Sequence, residues 1–291
     1  MAFRTVLINT HSKVEYSLNY LVFKTAEETK RILLDEIHTV IFESTAVAVT
    51  TSLLNELVVR KIKVIFCDEK HNPSSELMPY YNAHNTSKRI YEQTHWLEEC
   101  RNLVWTRIVK QKIINQALLL KLAGKEDKYK QLLFYSEEIV AGDLTNREGH
   151  AAKVFFNNIF YNGFTRNDDS KINVYLDYGY TILLSQFNRV IVSSGYLTQI
   201  GIHHIGETNP FNFSCDLIEP FRFLIDMEAM KLTDKDDYKS RMVDVLNKEV
   251  IIDGKCQTVV NAISIYFQSV INALNDGVVT DIKFINANEY I

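Results

Sequence analysis

Two carboxylates and an imidazole, Glu148, His204 and Glu219, lie far apart in the chain but in company that suits chemistry on phosphates. Glu148 sits in Asn-Arg-Glu-Gly-His-Ala-Ala, His204 in Gly-Ile-His-His, and Glu219 in Phe-Ser-Cys-Asp-Leu-Ile-Glu-Pro-Phe-Arg. Residues of these types can form a small site for a hard divalent ion, with positions left for water and phosphate oxygens. Mg²⁺ and Mn²⁺ both accept carboxylate oxygen, and Mn²⁺ takes imidazole more readily. Such an ion stabilises charge on phosphoryl oxygens and activates a hydroxyl, the two needs of phosphodiester chemistry. The sequence holds no Gly-x-x-x-x-Gly-Lys phosphate loop, no Gly-x-Ser-x-Gly elbow, no Gly-rich dinucleotide motif and no His-Glu-x-x-His.

Each residue also has a plainer reading. Thr145-Asn146-Arg147-Glu148 matches a capping box, with Thr145 as N-cap and Glu148 at N3. His203 and His204 are neighbours that project differently, so one site would use one of them directly, and a histidine pair alone is a weak metal signal. Asp216 and Glu219 are three apart, which on a helix puts both carboxylates on one face. Acids there also suit the positive end of a helix dipole, with Pro220 tolerated in the first turn.

The elements that must position these groups fall into two kinds. The first 70 or so residues read as strands: 3–8, then 13–18 and 20–23 as a hairpin, then 31–34 and 39–42. Leu53, Leu54, Leu57 and Val58 mark one face of a helix over 51–60, and 63–68 reads as a buried strand. Turn residues at His71-Asn72-Pro73-Ser74-Ser75 mark a boundary. Beyond it the pattern is helical. Leu97, Cys100, Val104 and Ile108 predict one helix over 89–123, stopped at Gly124. Further helices are expected from about 145, over 173–194 with Gly195 ending it, and over 217–231, 236–249 and 257–275. The expected class is α+β: a small N-terminal β-sheet domain at 1–72, a linker at 73–88, and a larger all-helical catalytic domain at 89–291.

Bulk properties agree with a folded enzyme. The 291 residues are 46% hydrophobic, with only 10 Gly and 4 Pro, so a core and long helices are expected. Cys67, Cys100, Cys215 and Cys256 form no C-x-x-C pair and read as reduced, mostly buried thiols. Polar residues interrupt the N-terminus, and no apolar run reaches the roughly 18 residues of a membrane span. A cytoplasmic, membrane-free location is expected. The net charge of −4 and pI near 6.1 disfavour a general nucleic-acid coat protein. They leave room for a local basic face, for which Arg60/Lys61/Lys63, Lys88/Arg89 and Arg107/Lys110/Lys112 are candidates; each is otherwise solvated surface.

The ordered motifs resemble those of the CRISPR adaptation integrase family, Cas protein one, across nearly the whole chain, in its type II-like form. Residues 4–13 look like that family's first hairpin, 146–152 its first catalytic motif, and 176–185 its core helix. Gly-Ile-His-His at 201–204 and the stretch at 211–222 resemble the second and third motifs. The resemblance places the catalytic metal ligands at Glu148, His204 and Glu219. It selects His204 over His203 because His204 lies 15 residues before Glu219. It makes Asp216 a supporting acid behind the ligands. Phe223, where relatives often have Pro, and Tyr175, where they tend to have Ala, depart from the pattern.

The resemblance implies an endonuclease and transesterase of antiviral defence. It would use Mg²⁺ or Mn²⁺ to insert the 3′-OH ends of double-stranded prespacer DNA into CRISPR repeat DNA. It further implies a homodimer formed through the β domain and a four-to-two complex with Cas protein two. Association with the type II effector nuclease and an accessory DNA-end protein is implied as well. Two other readings share the residues: a metal-dependent nuclease on branched DNA without integration, and a scaffold in which the three side chains cap helices.

Overall fold

The computed structural model describes residues 4–79, 85–233 and 236–290, and they divide into two compact units, 1–84 and 85–291.

The first unit carries two four-stranded sheets. Its strands are β1 (Arg4–Ile8), β2 (Ser12–Ser17), β3 (Tyr20–Lys24), β4 (Thr29–Leu33), β5 (Ile37–Phe42) and β6 (Val47–Val49). Helix α1 (Thr51–Val59), β7 (Lys63–Cys67) and β8 (Pro73–Glu76) complete it. One sheet has the order β1-β5-β7-β8, with β5 parallel to both neighbours; the other runs β4-β3-β2-β6. Every residue of β5 is buried, which is why this central strand reads as a near-continuous apolar run rather than an alternating one. The expected hairpin forms as β2 paired with β3, turned through Leu18 and Asn19 at positive φ. Thr50 caps α1 by accepting the Leu53 N–H. Residues 73–76, expected as linker, instead form β8 against β7, and the buried Lys63 ammonium pairs there with Glu76. Lys63 thereby leaves the candidate basic face.

The second unit holds α2 (Thr86–Thr94), α3 (Glu98–Leu122), α4 (Glu126–Glu137), α5 (Arg147–Ile159) and α6 (Lys171–Ser193). It continues with α7 (Asn212–Ile218), α8 (Arg222–Lys231), α9 (Tyr238–Asp244), β9 (Glu249–Ile252), β10 (Lys255–Thr258), α10 (Val259–Asp276) and α11 (Ala287–Tyr290). Two expectations change. The helix foreseen over 89–123 is broken between α2 and α3, where Trp96 turns inward and its indole N–H donates to Asn275 at 2.9 Å. The unit is not all-helical, because β9 and β10 form an antiparallel hairpin through Asp253-Gly254, both at positive φ. That Asp-Gly signal stood in the sequence inside a stretch otherwise read as helix-flanking.

Helix α6 runs through the middle of this unit. Ser170 caps its start, and the Asn173 amide donates to the carbonyls of Thr165 and Asp168, each at 2.8 Å, tying down the preceding loop. A Cβ on Gly179 would stand 2.6 Å from Ile225 and 3.0 Å from Met242, so this glycine sets how closely α8 and α9 pack on α6. Tyr175 and Phe223 both make ring contacts: Tyr175 meets Tyr238 at 4.8 Å and Phe223 meets Tyr290 at 6.0 Å. Of the four cysteines only Cys67 is buried, and none is in a disulfide. No described helix is long and apolar enough to cross a membrane.

Candidate active site

Three elements bring the site together: α3, the start of α5, and the segment from Gly201 to Arg222. Glu148 enters from α5. The N-cap of this helix is Asn146, not Thr145: its side chain accepts the Gly149 N–H, and its backbone is left-handed at φ 51°. Asp143 accepts the N–H groups of Arg147 at 2.8 Å and Glu148 at 3.0 Å. The helix start is thus satisfied by Asn146 and Asp143, so the capping-box role expected for Glu148 does not form. Its carboxylate instead receives the Lys112 ammonium at 2.5 Å.

Glu219 follows from a proline. The segment expected as one helix over 217–231 is two helices, α7 and α8, joined by a 3-10 turn at Glu219–Phe221. Pro220 supplies no N–H to continue α7. Its carbonyl accepts the buried Asn115 amide of α3 at 2.8 Å, which docks the turn against that helix. Glu219 is 4% exposed. One of its oxygens accepts from Arg222 Nε at 3.0 Å, and the other lies 2.5 Å from Lys112 Nζ. Burial would raise the Glu219 pKa, but Arg222 and Lys112 overcome it and hold the carboxylate well below its usual range. Burial likewise opposes the Lys112 charge; Glu219 and Glu148 reverse this and hold its pKa above the ordinary value.

Asp216 on α7 has no exposed surface and collects the loop before it. Its carboxylate accepts the backbone N–H groups of Ile202 at 2.5 Å, His203 at 3.0 Å and His204 at 3.1 Å. It also accepts His204 Nδ1 at 2.6 Å. The His204 pKa is raised, first by this hydrogen bond and then by the negative charge of Asp216, Glu219 and Glu148, against an opposing burial effect. Gly201 permits the wrap: a Cβ there would lie 2.4 Å from the His204 carbonyl oxygen and 2.7 Å from Asp216 Oδ2. His203, by contrast, is exposed and stacks on Trp105 of α3 at 4.4 Å.

The structure therefore draws Glu148 and Glu219 together through one cation and turns His204 away from its neighbour's role. Asp216 and Glu219, expected to share a face, serve different partners. Among the described residues no three His, Cys, Asp or Glu side chains are gathered as a ready-made metal cage, and Lys112 pairs with both carboxylates. The donor set still suits a divalent ion, since a positive charge already bridges Glu148 and Glu219.

Lys112 and Arg222 join the site beyond the residues the motifs single out. Lys112, a candidate for the basic face together with Arg107 and Lys110, is instead inward-facing, and it continues the Val104, Ile108 spacing of the buried stripe. Arg222 lies 4.5 Å from the centre of the Tyr180 ring, and the Tyr180 hydroxyl donates to buried Asp226.

Comparison with known proteins supplies the family. The model of the family described as CRISPR associated protein Cas1 matches residues 6–262. The chain belongs to the Cas1 family. It is 31% identical over 251 residues to the CRISPR-associated endonuclease Cas1 of Neisseria meningitidis serogroup C, covering 86% of this chain and 83% of that protein. The Cas1 fold recurs in solved structures of low identity. A casposase bound to integration product matches with a TM-score of 0.74 at 19% identity, over 94% of this chain and 91% of that one. A chain of a Cas6-RT-Cas1–Cas2 complex matches with a TM-score of 0.74 at 18% identity, over 96% of this chain. This chain spans only 36% of that longer protein.

Proposed function

We propose that this Cas1-family protein is a CRISPR adaptation integrase, joining prespacer 3′-OH ends to CRISPR repeat DNA at Glu148, His204 and Glu219. The observation that carries the reading is the pair of carboxylates bridged by one positive charge beside an imidazole whose Nδ1 is already taken. Glu148, Glu219 and the remaining ring nitrogen of His204 would hold Mg²⁺ or Mn²⁺. That ion supplies charge stabilisation to the phosphate and lowers the pKa of the attacking hydroxyl. Asp216 fixes the His204 ring and its tautomer, the usual work of a carboxylate behind a ligating histidine. Arg222 holds one Glu219 oxygen so that the other faces the site.

The reaction exchanges one phosphodiester for another. The prespacer 3′-oxygen forms a bond to phosphorus, the bond to the departing 3′-oxygen breaks, and the proton lost by the attacking hydroxyl is balanced by one taken up by the departing oxygen. No covalent protein intermediate is needed, since the nucleophile comes from DNA. Water in place of the 3′-OH would give a nuclease, the activity named for the Neisseria relative. The complex and the DNA-bound casposase among the structural relatives support Cas2 and duplex DNA as partners. A homodimer through the first unit, a four-to-two assembly with Cas2, a cytoplasmic setting, and contact with a type II effector nuclease and DNA-end protein complete the reading.

The test is strand transfer. The purified chain, Cas2 from the same source, a labelled duplex with 3′-OH ends and a supercoiled leader-repeat plasmid are mixed with Mn²⁺ or Mg²⁺. Label joined to plasmid, lost in EDTA and in Glu148→Ala and His204→Ala, is the expected result. Cutting without joining would select the nuclease reading, and metal-independent joining would overturn the site.

A further inference from the structure

Lys112 reaches the site from α3 and places a buried ammonium 2.5 Å from an oxygen of Glu148 and 2.5 Å from an oxygen of Glu219. Only 9% of its side chain is exposed. These two carboxylates belong to different elements, and Lys112 is the charge that joins them. We infer that Lys112 is a positioning residue that occupies the place of the divalent ion in the metal-free protein, so that an ion must displace it to bind Glu148 and Glu219. The inference rests on the proposed metal site.

Two features make the ammonium displaceable rather than a fixed part of the core. Glu219 keeps a second partner, Arg222 at 3.0 Å, and stays in place when Lys112 leaves. Asn115, about one turn further along α3, docks that helix to the Pro220 carbonyl independently of Lys112. A lysine head on a flexible four-carbon stem can swing aside, whereas two carboxylates left alone in a buried site would repel each other. The lysine therefore keeps the two acids together until the ion arrives, and lowers the ion's apparent affinity for as long as it competes.

The experiment measures Mn²⁺ binding to the metal-free full-length chain by calorimetry, without DNA, for wild type, Lys112→Met and Lys112→Gln. Removing the competitor should tighten Mn²⁺ binding at least tenfold in both variants and make the Mn²⁺-induced rise in melting temperature larger than in wild type. Lys112→Met should melt below wild type without metal, and adding Glu148→Gln should recover part of that loss. Equal or weaker Mn²⁺ binding in the variants, with wild type binding normally, would overturn the displacement and leave the metal site standing. No Mn²⁺ binding in any of the three proteins would overturn both. Wild type gives an independent measure through limited amine acylation read by mass spectrometry. Labelling of Lys112 should rise severalfold with saturating Mg²⁺ while other lysines stay unchanged; unchanged labelling of Lys112 would also overturn the displacement.

Discussion

The Asp216 carboxylate holds both the ring and the backbone of His204, accepting Nδ1 at 2.6 Å and the main-chain N–H at 3.1 Å. One side chain thus sets the position and the ring orientation of the imidazole together. Asp216→Asn keeps the volume but loses charge and acceptor capacity, and should weaken Mn²⁺ binding and strand transfer by about 10- to 100-fold. Asp216→Ala also strands the N–H groups of Ile202 and His203, and should lower stability by about 3 kcal/mol. Calorimetry and denaturant unfolding separate the two effects, and an Asn variant with wild-type metal affinity would remove Asp216 from the site.

Helix α5 offers a clean separation of capping from chemistry. Asn146 and Asp143 carry its N-terminal hydrogen bonds, so Asn146→Ala should cost about 1 kcal/mol with joining activity retained. Asn146→Gly should cost only a few tenths of a kcal/mol, because the position is left-handed. Glu148→Gln should abolish joining while leaving the helix start capped, any loss of stability coming from the Lys112 pair and not from the helix end. A scaffold in which Glu148 merely caps the helix predicts the opposite pattern, read by thermal melts and strand transfer on the same samples.

Gly201 should admit no side chain. Its Cβ would collide with the His204 carbonyl oxygen at 2.4 Å, which is backbone and cannot rotate away. Gly201→Ala should displace the 201–204 loop, costing about 2 kcal/mol by overpacking and most of the joining activity. Wild-type activity in that variant would show that the loop adopts another path in the working enzyme.

Asp226 gives the protein a measurable pH response. Burial outweighs the Tyr180 hydrogen bond and the nearby cations and raises its pKa from 3.8 to about 6. The folded state then binds a proton more tightly than the unfolded state. The associated stability is fully present below about pH 4 and is lost as pH rises through about 6, by roughly 3 kcal/mol at most. Asp226→Asn should flatten the stability profile over that window in urea unfolding. An unchanged slope would show that Asp226 ionises normally.

Much of this architecture is written in local sequence pattern. The apolar spacing in α1, the hairpin of β2 and β3, and the termination of α6 near Gly195 all follow from local pattern. What local pattern could not reveal was tertiary in origin. Trp96 breaks the α2–α3 helix because its indole finds Asn275, 179 residues away. Lys112 looks like a surface cation until Glu148 and Glu219 arrive from elsewhere to pair with it. The 3-10 turn at Glu219 depends on Asn115 as well as on Pro220. Of the candidate site, the acids and the histidine stand out by motif; the spacing of Lys112 marks it as inward-facing, but its partners are set only by the fold.

The spread of the site along the chain also bears on synthesis. A ribosome that has delivered α3 and α5 has made Lys112 and Glu148 but none of the segment bearing His204 and Glu219. An emerging or truncated polypeptide therefore holds one lysine–carboxylate pair and lacks the other half of the proposed site. The site proposed for the metal is complete only once the last third of the protein has folded against the earlier helices of its unit.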